Sequence, residues 1–189
     1  EGADTINGNN GNDTLSGLGG DDSINGGSGN DALYGGEGSD TLVGGSGTDT
    51  VYQAVGGNQT LTNTLLTGQG SDSLNTIERA NLTGDGGNNT IDASAFTLGL
   101  VTLNGLGGND TLRGGSSTDT LNGGEGDDTL DGGAGNDALN GGNGSDTVVQ
   151  TRDASMTLTN TSLTGNGTDT LSSIERAVLT GGAGNNTLN

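Results

Sequence analysis

The chain has 189 residues and a formal charge of −20, with 26% apolar and 2% aromatic residues, too few for an ordinary globular core. That charge, with only four basic residues, argues against nucleic acid as a partner, and no apolar run reaches membrane-spanning length. The absence of His and Cys rules out disulfides, thiol chemistry and metal sites built on nitrogen or sulfur.

Composition alone describes a disordered acidic chain, but the order of the residues contradicts it. From Gly8 to Tyr52 a nine-residue unit recurs as GNNGNDTLS, GLGGDDSIN, GGSGNDALY, GGEGSDTLV and GGSGTDTVY. Asp13, Asp22, Asp31, Asp40 and Asp49 fall in one register, which Asp4 extends upstream. An apolar residue follows two places after each: Ile6, Leu15, Ile24, Leu33, Leu42 and Val51. Glycine at the first, second and fourth places is expected to take positive φ and close a tight turn whose carbonyls point inward. The aspartate adds a carboxylate, so the donors are all oxygen, which suits a hard cation taking six to eight oxygens at about 2.3–2.6 Å and excludes zinc or copper. Each aspartate then starts a very short strand in which one side chain in two faces inward.

These residues resemble the nonapeptide GGxGxDxUx of RTX (repeats-in-toxin, hemolysin-type) proteins, over nearly the whole chain. The resemblance implies an all-β fold, a right-handed parallel β-roll or β-helix solenoid with calcium ions in the stacked turns. In such a fold two nonapeptides make one coil, so Asp4 pairs with Asp22, Asp13 with Asp31, Asp22 with Asp40 and Asp31 with Asp49, with backbone carbonyls completing each shell. It further implies a bacterial protein, exported by a type I system and extracellular, either secreted or on the cell surface. This chain would be its structural or spacer module, or the calcium-folded appendage of an extracellular enzyme or toxin.

Beyond Tyr52 the texture changes. Asn58 to Thr67, rich in Thr and Leu with partial alternation, predicts a longer strand. Gly68 to Leu74 restores one turn, but Asp72 lies 23 residues after Asp49, so these two share an ion only if the extra residues loop out. Asn75 to Thr83 predicts a further strand, leading into Gly84 to Ile91, where Asn89 stands in place of the aspartate and the turn is expected to stack without a strong ion. Phe96, the one Phe, is expected to plug a widened coil.

The second regular block runs from Gly105 to Val149 with Asp110, Asp119, Asp128, Asp137 and Asp146. Its expected pairs are Asp110 with Asp128, Asp119 with Asp137 and Asp128 with Asp146. Ser117 replaces the fourth-place glycine before Asp119 and is expected to weaken that turn. Sliding the sequence by 97 residues lays 1–92 on 98–189 without a gap, with Asp169 falling at the place of Asp72. The division is therefore 1–52 as a regular block, 53–104 as longer-strand irregular coils, 105–149 as a second regular block and 150–189 as a second irregular set. Together they make two copies of one module in a continuous solenoid, expected to be a segment of a longer protein. About seven filled sites would add on the order of 14 positive charges and leave the net at roughly −6.

The remaining acids lie off register. Asp21, Asp85, Asp127, Asp131 and Asp153 read as solvated, and Asp92 as either solvated or ligating. The pairs Glu78-Arg79 and Glu175-Arg176 read as structural charges against a neighbouring coil. An enzyme reading fails for want of His, Cys and Lys, since the register commits the paired carboxylates to calcium. An ice- or surface-binding row is disfavoured by the mixed residues at the third places, Asn10, Gly19, Ser28, Glu37 and Ser46. The expected partners are calcium ions, with end-to-end self-stacking or cell-surface association open and no membrane insertion.

Overall fold

A run of three residues between two turns is too short to stand as a strand alone, so it must pair with the equivalent run of the next coil. The computed structural model describes residues 2–189, and among these the only regular elements are strands. Thr5–Asn7 pairs in parallel with Ser23–Ser28 in the register Thr5↔Ser23, Ile6↔Ile24 and Asn7↔Asn25, and Ser23–Ser28 pairs in turn with Thr41–Ser46. The intervening Thr14–Ser16, Ala32–Tyr34 and Thr50–Ala54 form the same ladder on the opposite side. The chain thus winds between two sheets, of 11 and 10 strands, with the parallel offset of one coil seen in Thr5↔Ser23. This is the parallel β-roll the repeat implies.

The central residue of each short strand faces inward. Ile24, Leu33, Leu42 and Val51 are fully buried, as are Leu112, Leu121 and Leu130 in the second block. Each such burial is worth about 1.5–3 kcal/mol, yet a regular coil supplies only one inward apolar residue per face. Phe96 is fully buried where the register shifts between Asp92 and Ala95, and its N–H donates to the Ala93 carbonyl at 2.8 Å.

The irregular segments depart from expectation. Asn58 to Thr67 is not one longer strand: Gln59–Thr62 and Leu65–Thr67 fold back on each other, and Ser71–Asn75 adds a third antiparallel run. The polar Asn63-Thr64 step turns the chain, with Asn63 Oδ1 accepting from the Thr97 N–H at 2.8 Å. Leu61 and Leu66 then sit opposite each other and both are buried, which accounts for the Leu-rich composition. This meander lies inside the 11-stranded sheet, between Thr41–Ser46 and Thr90–Ala95. The predicted strand from Asn75 to Thr83 is also divided: Ser71–Asn75 ends, Thr76 takes φ 51°, and Arg79–Thr83 begins in the other sheet. The equivalent meander of the second copy, Thr157–Leu158, Ser162–Thr164 and Thr168–Ser172, ends the 10-stranded sheet.

Candidate metal centres

The turn from Gly26 to Asp31 shows why each glycine is where it is. Gly27 and Gly29, at the second and fourth places, take φ 107° and 130°, which a side chain rarely adopts. Gly26, at the first place, is needed for space instead of φ: a Cβ there would collide with Asp31 Oδ2 and with the Gly44 carbonyl of the next coil. The expectation of positive φ at all three places is corrected accordingly.

The register aspartates stack in columns along both edges of the roll. Each Oδ1 accepts a hydrogen bond from the backbone N–H of the register aspartate one coil earlier: Asp22 from Asp4, Asp31 from Asp13, Asp40 from Asp22 and Asp49 from Asp31, at 2.8–2.9 Å. In the second block Asp128 accepts from Asp110, Asp137 from Asp119 and Asp146 from Asp128, at 2.7–2.8 Å. All seven expected pairs are therefore neighbours. Asp49 and Asp72 are not. Asp72 Oδ1 accepts from the Asp40 N–H at 3.0 Å, and Asp169 from the Asp137 N–H at 3.1 Å, because the meander loops out and returns the chain to the sheet it left.

The second carboxylate oxygen of these residues has no such partner. Oδ2 of Asp13, Asp22, Asp31, Asp40, Asp49, Asp110, Asp128, Asp137 and Asp146 is buried without a hydrogen bond. Burial pushes the carboxyl pKa values up: Asp72, Asp119 and Asp128 to about 6 and Asp137 to about 7, with nearby carboxylates adding to burial for Asp72, Asp128 and Asp137. A buried, unpaired carboxylate is costly, and a column of them invites a cation. Among the described residues no three His, Cys, Asp or Glu side chains cluster to enclose an ion. The shell of a hard cation would therefore draw on backbone carbonyls, such as that of Gly44 beside Asp31 Oδ2.

The RTX calcium-binding nonapeptide repeat, described in four copies, matches residues 1–33, 16–51, 81–96, 102–130, 114–148 and 178–189, well over half of the chain. The chain belongs to the RTX calcium-binding repeat family. Its metal is accordingly calcium, and the all-oxygen, unpartnered carboxylates fit that ion. A search of curated proteins finds no match. Among solved structures, the extracellular lipase LipA from Serratia marcescens is similar at 19% identity and a TM-score of 0.28, over 92% of this chain and 36% of the lipase. The chain thus spans about a third of that lipase, and a likeness of this size carries no argument about activity.

Not every RTX turn keeps the regular form. Before Asp119, neither Gly115 nor Ser117 takes the positive φ seen at the regular second and fourth places. The turn is rebuilt so that Asp119 Oδ2 accepts from the Gly115 N–H at 2.7 Å, and its Oδ1 caps Val101 in place of an acid. Asn89 is buried like an aspartate: its N–H donates to Asp110 Oδ1 at 2.7 Å, while its Oδ1 accepts from the Asp85 N–H at 2.8 Å, leaving that oxygen satisfied. Asp92 proves to be the partner of Arg113, at 3.1 Å; against burial, the Ser94 hydroxyl and N–H that donate to it, and then Arg113, hold its carboxyl below its ordinary value. Asp4 is exposed and Asp13 half-buried at the open first coil.

A further set of positions carries a role that the aspartate register does not reveal. At the fifth place of the unit, Asn12, Asp21, Asn30, Asn109 and Asp127 each accept through Oδ1 from the backbone N–H one coil later, at 2.8–3.0 Å. Asp21 and Asp127 therefore brace the turns and are not merely solvated. The signal was the recurrence of Asn or Asp immediately before the register aspartate.

Proposed function

We propose that this chain is a structural or spacer segment of a secreted, extracellular protein, and that it folds when calcium binds. In this reading Asp4, Asp13, Asp22, Asp31, Asp40, Asp49, Asp72, Asp110, Asp119, Asp128, Asp137, Asp146 and Asp169 are calcium ligands, completed by carbonyls of the glycine turns. The observation that carries it is the set of buried Oδ2 atoms without a partner, one after another along the roll. Only a bound cation relieves that arrangement at neutral pH, so calcium-binding energy becomes folding energy. Where free calcium is low the chain stays unfolded, a form suited to export; where calcium is millimolar, it folds.

The stretches 1–52, 53–104, 105–149 and 150–189 are read as two copies of one module in a continuous solenoid. Cooperativity follows, since each ion joins neighbouring coils and a coil gains stability only through its neighbours. No catalytic role is assigned to these residues. The test is far-UV circular dichroism of chelator-treated protein during calcium titration, with magnesium as control. A cooperative gain of β signal with calcium alone is expected; a fully folded chelated protein, or an equal response to magnesium, would sink the reading.

A further inference from the structure

Glu78 and Glu175 lie outside the nonapeptide, yet each sits where a register aspartate would. Three features recur at a regular coil boundary, as at Asp31. Asp49 Oδ1 caps its N–H at 2.8 Å, its own Oδ2 is buried without a partner, and a backbone carbonyl, that of Gly44, faces that Oδ2 across the space a Cβ on Gly26 would fill. At Asp49 the next register position is Thr67, which has no carboxylate.

The same three features are rebuilt there from other residues. Glu78 Oε2 accepts from the Asp49 N–H at 3.0 Å. Asp49 is 0% exposed and its Oδ2 has no partner. A Cβ on Gly44 would collide at once with Asp49 Oδ2 and the Thr76 carbonyl, so both oxygens face one point. Thr76 reaches this position through its φ of 51°, an unusual conformation for a β-branched residue. The second copy repeats the set: Glu175 Oε2 accepts from the Asp146 N–H at 2.9 Å, Asp146 is 0% exposed with Oδ2 unpartnered, and Ser173, at φ 50°, presents its carbonyl to that Oδ2. Each glutamate thus brings a second carboxylate up to a buried, unpartnered one. A residue serving only as a hydrogen-bond cap has no need of a second negative charge beside a buried one.

We infer that Glu78 and Glu175 are calcium ligands, which with Asp49 and the Thr76 carbonyl, and with Asp146 and the Ser173 carbonyl, close a cation site at the downstream end of each aspartate block. The longer glutamate compensates for a turn without glycine, and a carboxylate that can bind through both oxygens suits calcium. Each ion then ties the strand after the meander to the block before it, across 29 residues of sequence.

This inference rests on the calcium-folded reading, and the test separates the two. Bound calcium is counted in the full chain by competition with a chromophoric chelator, for wild type, E78Q, E175Q, the double variant, and D22N as a control for a regular site. Glutamine keeps an oxygen over the Asp49 or Asp146 N–H and removes only the charge. Each single variant is expected to lose about one ion and the double variant about two. An unchanged count and affinity in the double variant, with D22N reduced, overturns the glutamate sites alone; a wild type that binds no calcium overturns both readings. Isotope-edited infrared spectra of wild type labelled with 13C-carboxyl glutamate give a readout that needs no variant. Calcium is expected to move the glutamate carboxylate stretch, and an unmoved band overturns the inference.

Discussion

The two copies of the module carry nearly the same residues at 77–82 and 174–179, yet the side chains are placed differently. Ile77, Ala80 and Leu82 are 0%, 2% and 0% exposed, whereas Ile174 and Leu179 are only half-buried and Ala177 is exposed. In the first copy Arg79–Thr83 is paired on both sides, by Thr50–Ala54 and Val101–Gly107; in the second, Arg176–Gly181 pairs only with Thr147–Arg152. Burial in a solenoid is thus conferred by the following coil and is not a property of the residue. The meanders differ as well: the first lies in the 11-stranded sheet and the second in the 10-stranded one. One copy crosses the molecule an odd number of times, so successive copies are turned by half a coil and present the same feature on opposite faces.

Removing the ions is expected to erase the difference between the copies altogether. Chelation at neutral pH is expected to abolish the β signal of both copies together; survival of either block in circular dichroism would show that its apolar ladder suffices alone. A charge placed at matched positions separates the copies next. Ala80→Asp buries an unpaired carboxylate and is expected to cost several kcal/mol, while Ala177→Asp stays within about 0.5 kcal/mol, both read as thermal melts in saturating calcium. Equal losses would mean that the last coil is covered in solution.

Acid should blur the difference between ion-bound and ion-free states. The Asp128 and Asp137 carboxyls rise from the ordinary 3.8 to about 6 and about 7 through burial and neighbouring carboxylates. A carboxyl raised in the fold contributes stability below its unfolded value, and that contribution is lost as pH climbs through the folded value. The calcium-free fold should therefore hold best near pH 4 and weaken between about 4 and 7, seen as a β signal recovered on acidification in chelator. A flat pH response would show that these groups do not govern the metal-free state.

Smaller effects sharpen the picture. Leu82→Ala should cost about 2–5 kcal/mol and Leu179→Ala clearly less, because the cavity at the second site is already open to water. Ser117→Gly lets the turn before Asp119 take the regular form and release Asp119 Oδ2 from the Gly115 N–H. Tighter calcium binding by a few fold is expected in a titration, and no change would mean that the rebuilt turn already holds its ion.

Local chemistry left most of the roll legible, because each regular coil is specified by residues within two units of each other. Three glycines, one acid and one apolar residue in register require a turn, a carboxylate and a short inward strand wherever they occur, and the resemblance to RTX repeats then names seven aspartate pairings. The irregular segments were harder for a physical reason. The Thr- and Leu-rich run alternates only in part, and the Asn63-Thr64 reversal is tied to Thr97, which lies 34 residues away. Asp72 could not be assigned to Asp40 by counting, since the meander inserts a length unrelated to the coil.

The sequence by itself thus determined the repeat, the all-oxygen chemistry and the need for a cation, since these follow from spacing and charge, while the pairing of aspartates one coil apart came with the resemblance to RTX repeats. Tertiary structure alone decided which distant turns meet, that Glu78 and Glu175 take the place of missing aspartates, and which of two nearly identical segments is buried. Those outcomes depend on the path of the chain between coils and on what stacks next, and neither is encoded within a single nonapeptide.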